Sequence, residues 1–119
     1  MNVAVIGASD NPERYSNMAV KLLKEKGHSV FPVHQRLKMV EGMAVFASIK
    51  DVPQPVDTVT LYVAGDISTQ LADDIFQIKP RRIIFNPGAE NPELETLARA
   101  KGIVTQNACT LVLLRAGQF

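Results

Sequence analysis

Short apolar runs alternate along this chain with longer segments in which apolar residues recur every three or four positions. The runs are nearly continuous in hydrophobic and β-branched residues, which is typical of strands buried on both faces. They lie at residues 2–6, 30–33, 56–63, 82–85 and 103–105. The helical spacing covers residues 15–26, 66–79 and 91–101, and residues 110–115 form a last helical segment. The pattern therefore predicts alternating β and α elements.

Punctuating residues mark the ends of several helices. Gly27 and Gly102 stand where a C-cap glycine belongs, and Pro80 stops the central helix. Asn91 followed by Pro92 is typical of an N-cap and a first helical residue. These signals separate the predicted helices from the strands that follow or precede them.

The segment 34–57 is the least regular part of the chain. A short strand is predicted within residues 42–46, and a helical turn within 48–52 that ends before Pro53. Pro32, in the second strand, indicates a strand end or a position whose N–H no neighbour needs.

The alternation predicts an α/β fold, with residues 1–119 forming a single domain. Parallel strands joined by right-handed crossovers carry helices on both faces of the sheet. We therefore expect a three-layer, Rossmann-like, doubly wound sheet of five parallel strands in the order 3-2-1-4-5. Ligand contacts would gather at the carboxyl ends of the strands, near the switch point beside the first strand.

The first strand runs through a turn of small residues, Gly7-Ala8-Ser9, into a polar loop and then the first helix. Such a turn presents unpaired main-chain N–H groups at the positive end of a helix, which favours phosphate. Gly7 matches the first glycine of the dinucleotide fingerprint, whereas Ser9 and Pro12 occupy the other two glycine positions. The turn predicts a nucleotide-like ligand, and a plain strand-to-helix turn is the alternative.

The end of the second strand narrows the choice of nucleotide. An NAD site places an acid there for the ribose diol, but this chain has His34-Gln35-Arg36 with Lys38 close behind. A phosphorylated ribose suits the two cations, Arg36 and Lys38, better than a free ribose diol does. NADP and coenzyme A both carry a phosphorylated ribose. A solvated surface loop is the other interpretation of the same residues.

Composition argues against several classes of function. The net charge is only +1, so neither nucleic acid nor a membrane surface is expected as a partner. The single Cys109 cannot form an internal disulfide, and the N-terminus shows no signal-peptide or membrane-spanning pattern, so a cytoplasmic protein is expected. We predict no metal site and no catalytic residues, because neither a ligand cluster nor a nucleophile–base set is evident.

Taken together, the motifs of this chain resemble the small single-domain CoA-binding proteins related to the N-terminal domain of the succinyl-CoA synthetase α subunit. The matching segments span nearly the whole chain: Val5-Ile6-Gly7-Ala8-Ser9, Gly27-His28-Ser29-Val30-Phe31-Pro32-Val33, residues 42–49, Pro55-Val56-Asp57-Thr58-Val59, Asn86-Pro87-Gly88-Ala89-Glu90-Asn91 and Asn107-Ala108-Cys109. The chain departs from the family pattern at His34-Gln35, where Asn-Pro is common. It also departs at residues 63–65 and 109–110, where proline is common.

The resemblance implies coenzyme A, or an acyl-CoA, bound across the strand ends. The residues that would face its phosphates lie in the first turn and near the start of the first helix: Gly7, Ala8, Ser9, Arg14 and Ser16. Those that would lie near the adenosine, its 3′-phosphate or the pantetheine follow the next two strands: Val33, His34, Arg36, Val63 and Ala64. The turn after strand four would form a wall of the cleft, or serve only the turn itself: Asn86, Pro87 and Gly88.

Three functions stay open on this basis. The first is non-catalytic binding of CoA or an acyl-CoA, because the ligase chemistry of larger relatives depends on a histidine in a further domain. The second is an NADP-binding, reductase-like module, which would need a catalytic pair that the sequence does not show. The third is a protein-interaction module whose nucleotide pocket is degenerate.

Overall fold

A five-stranded parallel sheet forms the centre of the computed structural model, which describes all of residues 1–119. Its strands are β1 (Asn2–Ile6), β2 (Ser29–Val33), β5 (Thr58–Leu61), β6 (Arg82–Phe85) and β7 (Val104–Asn107). A small antiparallel hairpin, β3 (Met39–Val40) and β4 (Met43–Ala44), lies within the irregular segment. The predicted α/β, Rossmann-like class is confirmed, with all the strands of the large sheet parallel.

The connections between the strands are mainly helical. The helices are α1 (Tyr15–Glu25), α2 (Gly65–Gln70), α3 (Ala72–Gln77), α4 (Pro92–Ala100) and α5 (Thr110–Arg115), with a 3₁₀ turn at Ile49–Asp51. The single helix predicted over 66–79 is interrupted at Leu71, whose N–H is shared between the carbonyls of Ile67 and Ser68. None of these helices has the length and apolarity needed to cross a membrane.

The strand order corrects the sequence-based expectation. The sheet runs β2-β1-β5-β6-β7, so the third large strand pairs with β1 rather than lying beyond β2. Pro32 gives the physical reason, because the Phe46 N–H reaches its carbonyl on the side of β2 away from β1. The nitrogen of Pro32 faces that same side and has no hydrogen to donate, so another ladder strand there would lose a hydrogen bond. The proline therefore marks β2 as an edge strand.

Side chains that alternate along the strands divide the core into two layers. Val3 and Val5 pack with α1 and α5 on one face of the sheet. Ala4 and Ile6 pack on the other face with residues from the 3₁₀ turn, α3 and α4. The connection after β1 leads to β2 on one side, and the connection after the adjacent strand β5 leads to β6 on the other. These opposite directions open a crevice at the carboxyl ends of the two strands.

Candidate functional site

The crevice at the carboxyl ends of β1, β2 and β5 contains two cavities that adjoin each other. The first, of about 680 Å³, lies over the turn after β1 and the start of α1. The second, of about 480 Å³, lies over the end of β2 and against α2. Gly7, His34 and Val63 line both, so the two form one continuous cleft.

The floor of this cleft depends on Gly7. Its φ of 86° lies in the left-handed region, and a Cβ there would come within 2.8 Å of Val63 Cγ1. The same Cβ would lie 3.1 Å from the carbonyl carbon and oxygen of Tyr62. A glycine is therefore required for the turn and for the close approach of β5.

Free main-chain N–H groups lie at the start of α1. Tyr15, Ser16 and Asn17 form the first turn of the helix, and their N–H groups have no acceptor within the chain. No side chain caps the helix at Arg14, so this end is open to an anion. The N–H groups of Gly7 and Ala8, by contrast, both donate to the Val33 carbonyl, at 3.1 and 3.3 Å. The available donors are thus in the helix rather than at the glycine itself.

The loop between β1 and α1 is held in shape by its own polar groups. Ser9 Oγ accepts a hydrogen bond from the Asn11 N–H at 3.0 Å, which leaves its hydroxyl proton free to donate. The buried amide of Asn17 donates to the Ser9 carbonyl at 2.9 Å. The loop is consequently ordered before any ligand arrives, which lowers the entropic cost of binding.

His34 has a structural role as well as a place in the cleft. Its Nδ1 accepts from the N–H groups of Arg36 and Leu37, at 3.0 and 3.1 Å. An asparagine side-chain oxygen accepts from the main chain two residues on in the same way, so His34 holds this turn as an asparagine would. In the neutral ring this arrangement leaves the proton on Nε2, which can donate to a ligand.

The charges around the cleft are mixed. Arg14 and Arg36 are exposed, and neither forms an ion pair within the chain. Asp10 and Glu13 line the same cavity as Arg14. No acid lines the cavity beside Arg36. A doubly charged phosphate is therefore best accommodated near Arg36, while an anion near α1 depends on the helix amides.

Four predicted site residues lie outside both cavities. Ala64 is the exposed N-cap of α2, and Pro87 and Gly88 are exposed in the turn after β6. Asn86 is only 1% exposed, and its amide donates to Thr60 Oγ1 and the Leu61 carbonyl. Its Oδ1 accepts from the Thr110 N–H at 2.8 Å. The side-chain amide of Asn86 therefore joins β5, β6 and α5. A ligand role for any of these four predicted residues stays a prediction.

Two tyrosines of the first cavity were missed by the sequence analysis. Tyr15 is 68% exposed at the start of α1, and Tyr62 follows β5. Burial raises the pKa of Tyr62 to about 12, and its hydroxyl is buried. The position of Tyr62 just beyond a buried strand is the signal that could have placed it at the carboxyl edge.

Cys109 is half-buried at the N-cap of α5 and lines neither cavity. Nor do three side chains of His, Cys, Asp or Glu lie close enough together to hold a metal ion. The polar groups gathered in the cleft are main-chain amides, hydroxyls, one imidazole, two guanidinium groups, two carboxylates and two side-chain amides.

Comparison with known proteins agrees with this geometry. A solved crystal structure of a protein 38% identical in sequence superposes with a TM-score of 0.94, covering 99% of this chain and 97% of that one. YneT of Bacillus subtilis strain 168 is 25% identical over 100 residues, which are 84% of this chain and 74% of that protein.

A larger relative shares only part of its length with this chain. The α subunit of the ADP-forming acetate–CoA ligase II of Pyrococcus furiosus is 39% identical over 62 residues. That match covers 51% of this chain and 14% of the subunit. The sequence profile of the CoA binding domain matches residues 1–115, and the chain therefore belongs to this family of CoA-binding domains.

Proposed function

We propose that this chain binds coenzyme A or an acyl-CoA in the cleft at the carboxyl edge, and does no chemistry of its own. The observation that carries the proposal is the open first turn of α1, where Tyr15 and Ser16, two of the three residues with free N–H groups, border a cavity of about 680 Å³. Main-chain donors at a helix start suit a diphosphate, which is the central charged group of CoA. Membership of the CoA-binding domain family supports the same ligand.

The two cavities differ in a way that fits the two ends of an adenosine nucleotide. We assign the diphosphate to the α1 end, with Arg14 and the Ser9 hydroxyl as further donors. The second cavity has apolar walls that include Ile49, Ile67 and Leu71. An adenine ring suits such walls, and Arg36 at this end suits the 3′-phosphate.

Binding without catalysis is the simplest reading of the residues present. The cleft contains hydrogen-bond donors, two arginines and the exposed carboxylates of Asp10 and Glu13, but Cys109 lies outside it and Tyr62 has its hydroxyl buried. The ligase relative performs its reaction with a subunit of which this chain covers 14%, so its activity is not carried over.

NADP is the second candidate, because its ribose phosphate would also suit an unpaired Arg36 next to a cavity without acids. Calorimetric titration with CoA, dephospho-CoA, NADP and NAD distinguishes the two. We expect CoA to bind roughly tenfold more tightly than dephospho-CoA, because one charge-assisted contact to a phosphate contributes about that much to affinity.

Arg36→Ala should abolish that preference while leaving the affinity for dephospho-CoA nearly unchanged. Arg115→Ala is the matched control, because Arg115 is exposed and lines neither cavity of the cleft. Tight NADP binding without CoA binding would favour the reductase-like module, and no binding of any of the four would favour a degenerate pocket.

A further inference from the structure

The two edges of the large sheet are finished differently. At the β2 edge, the Phe46 N–H donates to the Pro32 carbonyl at 2.9 Å, and the His34 N–H donates to the Phe46 carbonyl at 3.0 Å. The hairpin β3–β4 lies against the same side. Together with the missing N–H of Pro32, these contacts leave little of the β2 edge free to pair with another strand.

At the opposite edge, β7 has no such cover. The N–H groups of Val104 and Ala108 donate to the carbonyls of Arg81 and Phe85, on the β6 side. The alternate residues Thr105 and Asn107 therefore direct their main-chain groups outward. No main-chain hydrogen bond within the chain uses those groups. The strand sequence Val-Thr-Gln-Asn contains no charge and no proline, the two side-chain devices that most often protect an edge.

Exposed apolar side chains and the charged side chains of α4 lie beside β7. Val104 is 49% exposed, and Leu97 on α4 is 46% exposed. Arg99 Nε donates to Thr105 Oγ1 at 2.8 Å, and Glu95 accepts from the side-chain amide of Asn107. These contacts fix α4 antiparallel to β7, with its acidic first turn at one end and its basic last turn at the other.

We propose that the β7 edge binds a second copy of this chain, through antiparallel pairing of the two β7 strands about a two-fold axis. The free groups of Thr105 and Asn107 would then meet the same groups of the partner, as an isologous contact requires. The two α4 helices would lie antiparallel on the same face of the joined sheet. Within each helix Arg99 Nη2 lies 2.9 Å from Glu95 Oε1. The antiparallel arrangement places the acidic end of each helix beside the basic end of the other, so opposite rather than like charges meet across the axis.

Sedimentation equilibrium between about 5 and about 500 µM tests the proposal, since a short strand contact belongs to the weak class of interfaces. We expect the unaltered chain to move from monomer towards dimer across this range. Two variants should remain monomeric throughout. Val104→Lys places a charge on the edge, and Thr105→Pro removes an outward N–H that β6 does not use.

Met39→Lys is the matched control, because Met39 is 64% exposed in the hairpin beside the opposite edge. It should dimerise like the unaltered chain, and circular dichroism checks that all three variants are folded. A monomer at every concentration would overturn the proposal, as would a dimer that both β7 variants retain. Neither result affects CoA binding, which uses the carboxyl edge.

Discussion

The guanidinium carbon of Arg82 lies 4.4 Å from the centroid of the Phe119 ring, over its face. Arg82 is 6% exposed and has no carboxylate partner within the chain. Its Nε and Nη1 donate to Thr58 Oγ1 and Gln106 Oε1, while Nη2 has no acceptor. The pKa of this guanidinium is lowered from its ordinary value, mainly because the group is buried. The electron-rich ring face therefore compensates a buried cation that no acid neutralises.

Replacement of the Phe119 ring should show how much its contact with Arg82 contributes to the free energy of unfolding. We expect Phe119→Leu, which keeps apolar bulk but removes the ring face, to lower the free energy of unfolding by about 1–2 kcal/mol. Urea denaturation gives the value. The double variant with Arg82→Met removes the cation as well, so the effect of Phe119→Leu should shrink in that background; an unchanged effect would assign the ring a purely apolar role.

The His28 ring packs edge-on against Phe119, with 5.2 Å between the ring centroids. This histidine should make the stability of the fold depend on pH. Burial, then the N-terminal amine and then Arg82 lower its pKa below the ordinary 6.5. The folded chain thus binds fewer protons at His28 than the unfolded chain. Stability from this residue is complete above about pH 6.5 and is lost as pH falls through the folded pKa.

Thermal unfolding between about pH 8 and pH 5 follows this loss, because that range brackets the ordinary histidine pKa. His28→Gln should flatten the curve across this range. A slope that survives His28→Gln would show that another group controls it.

Gly7→Ala should destabilise the chain more than Gly102→Ala does. Gly102 has a similar φ of 80° but no atom within 4 Å of an added Cβ, so Gly102→Ala reports the backbone strain alone, about 1–2 kcal/mol. At Gly7 the contact with Val63 adds about 1–3 kcal/mol. Equal losses in the two variants, measured by denaturation, would contradict the close approach of β5 to the turn.

Asn86→Ala should lower stability by about 2–3 kcal/mol, because Thr60 and the main chains of Leu61 and Thr110 each lose a buried partner. We expect the affinity for CoA to stay within about twofold at temperatures where the variant is folded, since a shift of under about 0.4 kcal/mol is that small. A large loss of affinity in a stable variant would instead support the ligand role predicted from the sequence.

Neutralising the acids of the first cavity should tighten CoA binding. Asp10→Asn and Glu13→Gln each remove an exposed negative charge near the proposed diphosphate position, which is worth up to about fivefold in affinity. Salt should reduce the gain, because exposed charges are screened. Asp73→Asn, on α3 and outside the cleft, is the matched control for a general change in net charge.

The sequence by itself determined the α/β class, the positions of the five large strands and the turn at Gly7. These features rest on local causes: continuous apolar runs, helical spacing, and the φ that only glycine adopts easily. Resemblance across the whole chain also identified the family, as the match over residues 1–115 confirms. Pro32 even carried the signal for an edge strand, but the strand order inferred from the alternation alone ignored it.

Only the tertiary structure decided which strands are neighbours and which polar groups are already used. The order β2-β1-β5-β6-β7 depends on long-range packing of both faces, which no local pattern encodes. The amides of Gly7 and Ala8 are taken by Val33, and the side chain of Asn86 by β5 and α5. Hydrogen-bond partners far apart in the chain determine what remains free for a ligand, and these partners meet only once the sheet has formed.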